Sequence, residues 1–460
     1  MITTDIPKSI FRAYDIRGIV GETFIPNNIY TIGLAIGSEA QKRGEQTIII
    51  GRDGRLSGPE LLKSLSAGIR ASGCNVINLG EVTTPILYYA TNVLSSTSGV
   101  MLTGSHNPPN YNGIKIVLQG NALYEQGIYN LHDRIVNKDF SYGEGKEELK
   151  PIIDDYITRV VSDIKLAKKL KVVVDCGNGV GGRVAPKLFK ALGCEIIELF
   201  CEVDGNFPNH HPDPSDDKNL QDLVKAVKAN KADVGLAFDG DADRVGVVTN
   251  EGKIIASDRL LMFFAIDMLS RHPGAVIPFD VKSTRHLADQ ITKHGGVPLM
   301  MQTGHSYIKA KMKEINALLA GEFSGHTFFK ERWYGFDDGI YTGARFLELL
   351  AKDSRTSDQI FTALPDCMHT PELKLPMSDE MKFAFMDKLQ KQIQFADAKV
   401  TTIDGVRADF KDGFGLIRSS NTTPYLIMRF EGDTAEALAR IQKVFKEKLL
   451  AIEPGLQIPY

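Results

Sequence analysis

Five short segments bring together side chains whose types and spacing could do chemistry. Thr103-Gly104-Ser105-His106-Asn107-Pro108 sets a serine between glycine and histidine, after the apolar run Gly99-Val100-Met101-Leu102 and before a rigid Asn-Pro-Pro. A serine in that position either caps a turn or acts as a nucleophile. The G-x-S-x-G elbow of the α/β hydrolases is missing here and in Gly304-His305-Ser306-Tyr307-Ile308. Asp239-Gly240-Asp241-Ala242-Asp243 places three carboxylates at alternate positions after an apolar strand, where their repulsion calls for a cation. Hard oxygen ligands suit magnesium, which keeps positions for water or a phosphate oxygen. A calcium EF-hand would need Gly where Arg244 stands and Glu where Asn250 stands, and no Thr follows to make an aspartyl-phosphate phosphatase. A solvated acidic turn is the plain alternative.

The other three segments are individually weaker. Gly177-Asn178-Gly179-Val180-Gly181-Gly182 fits the dinucleotide spacing, with Glu198 about twenty residues on, yet glycines also serve simply for a tight strand-to-helix turn. Glu322-Phe323-Ser324-Gly325-His326 would face Glu322, Ser324 and His326 one way if extended, ready to hydrogen-bond adjacent hydroxyls; otherwise it is an ordinary turn. Arg418-Ser419-Ser420-Asn421-Thr422-Thr423-Pro424 offers a guanidinium among hydroxyl and amide groups, either a phosphate cradle or a capping turn. No G-x-x-x-x-G-K-[ST] loop is present, which disfavours an ATP-dependent kinase.

These segments need elements to hold them. Three stretches repeat one theme of apolar strand, polar turn, amphipathic helix ending in glycine, and further strands: 47–106, 171–239 and 275–324. Strands alternating with helices predict α/β units with largely parallel strands, with ligands bound beyond the strands' carboxyl ends, where the unusual loops lie. After about residue 369 a charged helix (380–395), short strands near 398–410 and 425–430 and a last helix (434–450) predict a smaller α+β unit. The expected fold is therefore three related mixed-sheet α/β domains (1–150, 151–252, 253–368) and a C-terminal α+β domain (369–460). Each carries one of the loops.

Composition fits this division. The 460 residues exceed one hydrophobic core, which stops growing near roughly 250–300 residues. A net charge of −3 disfavours nucleic-acid binding, and without an apolar run of membrane length no membrane partner is expected. Residues 1–8 lack a basic start leading into an apolar run, and the five cysteines lack C-x-x-C spacing, so a cytoplasmic protein with reduced thiols, no disulfides and no structural zinc is expected. An anionic substrate would need local cations, for which Arg17, Lys115, Arg244, Lys282 and Arg418 stand beside glycine-rich or polar turns.

Together with Phe11-Arg12-Ala13-Tyr14-Asp15-Ile16-Arg17-Gly18 and Gly321, the loops at Ser105, Asp239, Glu322 and Arg418 make the chain resemble, in order and over nearly its whole length, the α-D-phosphohexomutases, specifically their bacterial phosphomannomutase/phosphoglucomutase branch. The resemblance implies four domains around a central cleft. Ser105 would be the phosphoserine and a metal ligand with Asp239, Asp241 and Asp243. Glu322 and Ser324 would read sugar hydroxyls, and Arg418, Ser420, Asn421 and Thr422 would cradle the phosphate that is not reacting. Tyr14, Arg17, Lys115, Arg244, Lys282, His305 and His326 would line the cleft, with Lys115 and His326 the better candidates for proton transfer. Implied too are magnesium, phosphorylated Ser105, a hexose 1,6-bisphosphate activator, and mannose and glucose 1- and 6-phosphates as substrates. Oligomeric state is left open, a monomer being compatible. Phosphoglucosamine mutases, the alternative, typically show Ala before the serine and an Arg-Pro-Ser-Gly-Thr-Glu-Pro loop, where this chain has Gly104 and Arg418–Pro424.

Overall fold

The computed structural model describes residues 2–420 and 423–460. Four sheets follow one another along the chain. In the first, Thr47–Arg52 lies parallel to Asn75–Glu81 on one side and to Gly99–Leu102 on the other. Tyr111–Leu118 then runs antiparallel to Gly99–Leu102, and Ile16–Ile19 antiparallel to it in turn. The second sheet sets Lys171–Asp175 parallel to Glu195–Leu199 and Val234–Phe238, with Val245–Thr249 returning antiparallel. The third repeats the plan, with Val276–Asp280 parallel to Val297–Met301 and Leu319–Gly321, and Thr327–Phe329 returning antiparallel. The units are thus mixed. This agrees with the expected mixed sheets; which strands return antiparallel is not legible in the sequence, because a five-residue strand such as Val245–Thr249, buried throughout, has no alternation to reveal it.

Those returns place the chemistry. Residues 103–110, 239–244 and 322–326 each connect a parallel strand to its antiparallel neighbour, at the strand's carboxyl end. Both ends of each loop are hydrogen-bonded into one sheet, which leaves its middle little freedom.

The fourth sheet is antiparallel, with Tyr425–Gly432 and Gly413–Ser419 at its centre. Phe385 and Leu389 of helix Asp379–Gln392 and Ile441, Phe445 and Leu449 of helix Ala435–Ile452 share one core with its strands. Gly413–Ser419 was not anticipated, since three of its residues are Gly or Ser. One apolar cluster runs continuously from Ile49 and Met101 through Val172 and Phe238 to Phe279 and Phe346, joining the first three units. Gly343 of helix Gly339–Lys352 lets that helix sit directly on Leu236, Phe238 and Phe189 of the second unit. Between the third and fourth units lies a small apolar cluster of Val281, Phe414 and Leu416, with Met300 packed against it.

Candidate active site

Ser105 is 4% exposed and adopts φ 48°, a left-handed conformation that non-glycine residues avoid and that concentrates at functional sites. Its Oγ lies 3.1 Å from Asp239 Oδ2 and 3.2 Å from His106 Nδ1. Burial, and then the nearby positive charge of Arg244, hold His106 well below its ordinary pKa, so this ring is neutral.

Asp239, Asp241 and Asp243 are completely buried, with carboxylate oxygens within 4.8 Å of one another. Among the described residues Asp241 Oδ1 is a buried acceptor with no hydrogen-bond donor, and Asp243 Oδ1 has none closer than His326 Nε2 at 3.4 Å. This oxygen-only set with unspent acceptors fits a hard divalent cation. The positive charge supplied by the protein is Lys115, whose Nζ donates to Asp241 Oδ2 at 2.8 Å and Asp243 Oδ2 at 2.5 Å, and Arg244, which grips Asp239 Oδ2 through Nε and Nη2 at 3.1 and 3.0 Å. Burial, reinforced by Asp243 and Asp241, pushes the Asp239 carboxyl well above the ordinary range, although Arg244 opposes it. At Asp243 burial acts the same way, but Lys115 and His326 outweigh it and hold the carboxyl well below. Lys115 is itself raised well above an ordinary lysine, since Asp241 and Asp243 overcome the burial that disfavours its ammonium form. The Lys115 ammonium is thus held between two carboxylates.

The Glu322–His326 segment is a tight turn and not an extended strand. Glu322 N–H donates to His326 O at 2.9 Å, Gly325 N–H donates to Glu322 O at 3.1 Å, and Gly325 has φ 107°. The side chains still converge, because the turn folds them together: His326 Nδ1 lies 3.0 Å from Glu322 Oε2 and 3.1 Å from Ser324 Oγ, and Nε2 lies 3.4 Å from Asp243 Oδ1. Burial would depress the ring's pKa, but Asp243 and Glu322 push it up to about 10, so at neutral pH His326 is an imidazolium with protons to give. His305 stacks on it with ring centroids 5.4 Å apart, and Tyr14 meets His305 edge-on at 5.5 Å. Arg244 Nη1 reaches Ser324 O at 3.4 Å, tying this loop to the carboxylate loop.

Arg418 completes the wall from the fourth unit. Its Nε donates to Asp404 Oδ2 at 2.8 Å, and the same oxygen accepts from Thr303 N–H at 2.9 Å, beside His305. Lys282 Nζ pairs with Glu372 Oε1 at 2.9 Å, and Arg17 donates to Asp15 Oδ2 at 2.6 Å and to Asn107 Oδ1. Ser420 Oγ accepts from Thr423 N–H at 3.1 Å. Asn421 and Thr422, expected in the phosphate cradle, lie outside the described residues.

Sequence reading missed several residues that build this wall. Asp337, fully buried, accepts from Lys309 Nζ at 2.7 Å and lies 3.2 Å from His305 Nδ1. Thr84 donates through both Oγ1 and N–H to Asp241. Asp53 and Arg55 surround the backbone of the serine loop. Only the last pair left a local signal, the Gly51-Arg52-Asp53-Gly54-Arg55 turn after an apolar strand.

Comparison with known proteins agrees with this geometry. The four phosphoglucomutase/phosphomannomutase domain families match in order, the alpha/beta/alpha domains I, II and III at residues 8–140, 154–252 and 256–368 and the C-terminal domain at 372–448. A phosphomannomutase/phosphoglucomutase of Pseudomonas aeruginosa is 57% identical over 455 residues, covering 99% of this chain and 98% of the relative. A phosphoglucomutase of Neisseria gonorrhoeae is 52% identical over 96% of each chain. The crystal structure of a phosphoglucomutase/phosphomannomutase family protein from Burkholderia thailandensis superimposes with a TM-score of 0.95 at 52% identity, covering 99% of this chain and all of that one. With its four units, its buried serine facing three carboxylates and these matches along its whole length, the chain belongs to the phosphoglucomutase/phosphomannomutase family and is a phosphohexomutase, an isomerase.

Proposed function

We propose that the enzyme interconverts the 1- and 6-phosphates of mannose and glucose, carrying a phosphoryl group on Ser105 and passing through a hexose 1,6-bisphosphate. The observation that supports this most directly is the hydroxyl of a strained, buried serine directed at Asp239 within a cluster of three buried carboxylates. A serine with a base and an orienting acid would suggest acyl transfer, but among the described residues no carboxylate hydrogen-bonds or pairs with His106, so the contact between Ser105 Oγ and His106 Nδ1 lacks the orienting acid of such a triad.

Phosphoryl transfer depends mainly on alignment and charge neutralisation. Asp239, Asp241 and Asp243, with the serine, would hold Mg2+, which when bound neutralises charge on the phosphoryl oxygens. Arg244 keeps Asp239 in place and adds a second positive charge beside it. Lys115 fixes Asp241 and Asp243. His326, protonated between Asp243 and Glu322, is the group best placed to give a proton to the departing sugar oxygen, and Glu322 with Ser324 would read the sugar hydroxyls. Arg418 and Ser420, together with Asn421 and Thr422, would hold the other phosphate. Tyr14, Arg17, Lys282 and His305 line the space between these two ends. The domain divisions at 150, 252 and 368 then allot one function to each unit.

One serine serves both ends of the sugar only if the bisphosphate turns over before returning its second phosphate. Ser105→Ala should therefore lose at least about 10⁴-fold in kcat. It should also take up no label from hexose 1,6-bisphosphate. Retention of mutase activity with added bisphosphate would overturn the assignment. Relative kcat/KM on mannose, glucose and glucosamine 1-phosphates fixes the sugar class.

A further inference from the structure

We propose that Arg55 is a positioning residue for Ser105, a buried guanidinium that ties down the backbone of the serine loop and so sets where the phosphoryl-carrying oxygen stands. The inference rests on the reading of Ser105 as phosphoryl carrier. Arg55 follows the strand Thr47–Arg52 and its side chain has no exposure. A guanidinium has five N–H donors in one rigid plane. Here all five are engaged: Nε with Asp53 Oδ2 at 3.2 Å, Nη1 with the carbonyls of Pro108 at 2.6 Å and Tyr111 at 3.0 Å, and Nη2 with those of Ser105 at 2.9 Å and Asn107 at 2.6 Å.

Asp53 holds the loop's opposite polarity. Its Oδ2 accepts from Thr103 Oγ1 at 2.8 Å and from Gly104 N–H at 3.1 Å, and Thr103 Oγ1 accepts from Ser105 N–H at 2.8 Å. Donors and acceptors on both sides of Ser105 are thus fixed by one Asp–Arg pair. This is the over-determination that a left-handed serine requires, since such a backbone costs of order 1–3 kcal/mol when unsupported. Gly104 leaves the room: a Cβ there would stand 2.3 Å from Arg55 Cζ. The second unit closes the clamp, with the Phe207 ring centroid 5.2 Å from Arg55 Cζ, and with Gly205 so near that a Cβ would lie 2.9 Å from Arg55 Cα. Arg55 acts on the reaction only through the serine loop's backbone. A lysine, with three donors and no plane, cannot hold four carbonyls in this arrangement.

A misplacement of about 1 Å at a reacting group can cost on the order of 10²-fold in rate. The test compares wild type, Arg55→Lys and Arg55→Ala as full-length proteins, with glucose 1-phosphate as substrate and glucose 1,6-bisphosphate as activator. Phosphoserine content is measured by mass spectrometry, so that kcat is expressed per phosphorylated chain, and circular dichroism reports the folded fraction. Arg55→Lys should lose about 100-fold in this kcat with KM unchanged within about threefold. A merely structural role would lower the folded fraction and leave kcat per phosphorylated chain intact, and that result, or an equal change in KM, would overturn the proposal. Should Arg55→Ala not fold, Arg55→Lys carries the comparison. Absence of phosphate on wild-type Ser105 would defeat the functional reading instead, which separates the two failures.

Discussion

Where the first unit meets the second, backbone lies against backbone; where the third meets the fourth, long side chains span the gap. At the first junction Gly240 approaches the Ser105 carbonyl so closely that a Cβ would lie 2.2 Å from it, Gly205 approaches the backbone of Leu56 in the same way, and Gly54 makes room for the Val203 side chain. At the second, Arg407 Nη1 donates to the carbonyls of Val281 and Ser283 at 2.7 Å each, Arg429 donates to that of Lys282, and Thr284 Oγ1 donates to Glu431 Oε1 at 2.8 Å. The apolar content differs in the same direction, a cluster shared by three units against the small patch of Val281, Phe414 and Leu416. A small, polar interface allows its two sides to move against each other, whereas close-packed backbone does not. The rigid junction carries Ser105 and the carboxylates, which phosphoryl transfer needs in fixed alignment. The polar junction carries Arg418, and the phosphate grip proposed for it tolerates, and with substrates bound in two orientations would require, some adjustment.

The sharpest way to break that comparison is Gly240→Ala. The added methyl meets backbone on Ser105 and cannot be relieved by a rotamer change, so the loops must separate. Overpacking of this kind costs about 1–3 kcal/mol, and the displacement of Ser105 from Asp239 should lower kcat about 100-fold. KM should change little. Steady-state kinetics with a melting curve decide the matter, and wild-type kcat would show the first junction to be as pliable as the second.

Arg418→Ala tests the other side. Hydrogen bonds to charged groups contribute roughly 1.5–3 kcal/mol, so KM should rise about tenfold to a hundredfold. The chemical step is held elsewhere and kcat should fall by less than KM rises. A loss confined to kcat would move Arg418 into the transfer centre and erase the contrast between the junctions.

How far the sequence shows this contrast depends on the range of the interactions involved. The strands before the loops are legible as apolar runs, and the loops as clusters of unusual residues within a few positions: Asp239, Asp241 and Asp243, or Glu322, Ser324 and His326. The three repeats and the C-terminal change of pattern are legible for the same reason. Partners distant in the chain are not. Lys309 and Asp337 are unremarkable charges until folding buries them 2.7 Å apart beside His305, and Thr84 lies 157 residues from the carboxylate it supports. Local spacing alone does not settle geometry either. Alternate spacing left Glu322–His326 readable either as a strand face or as a turn, and the left-handed Gly325 turns it back on itself. The convergence of those side chains was right, but its cause was a turn.

The smallest effect concerns what the rigid side costs in stability. Asp338 caps helix Gly339–Lys352 by accepting from Tyr341 N–H at 2.9 Å, takes a hydrogen bond from Tyr156 Oη at 2.9 Å, and precedes Gly339, whose N–H donates to Ala242 O at 3.1 Å next to the carboxylate loop. Burial raises its carboxyl from 3.8 to about 7, against the hydrogen bonds from Tyr341 and Tyr156. The folded state then binds the proton more tightly than the unfolded chain, so this group's stabilising contribution is complete below about pH 4 and is lost as pH rises through about 7. Asn keeps an acceptor for the cap and for Tyr156 but cannot ionise. Asp338→Asn should therefore melt above wild type at pH 8, by about 1 °C for each kcal/mol recovered in a chain of this size, and the difference should shrink or reverse at pH 5. Melting curves across that range check the sign. A constant difference would mean that Asp338 stays ionised and that the contact between the second and third units tolerates its charge.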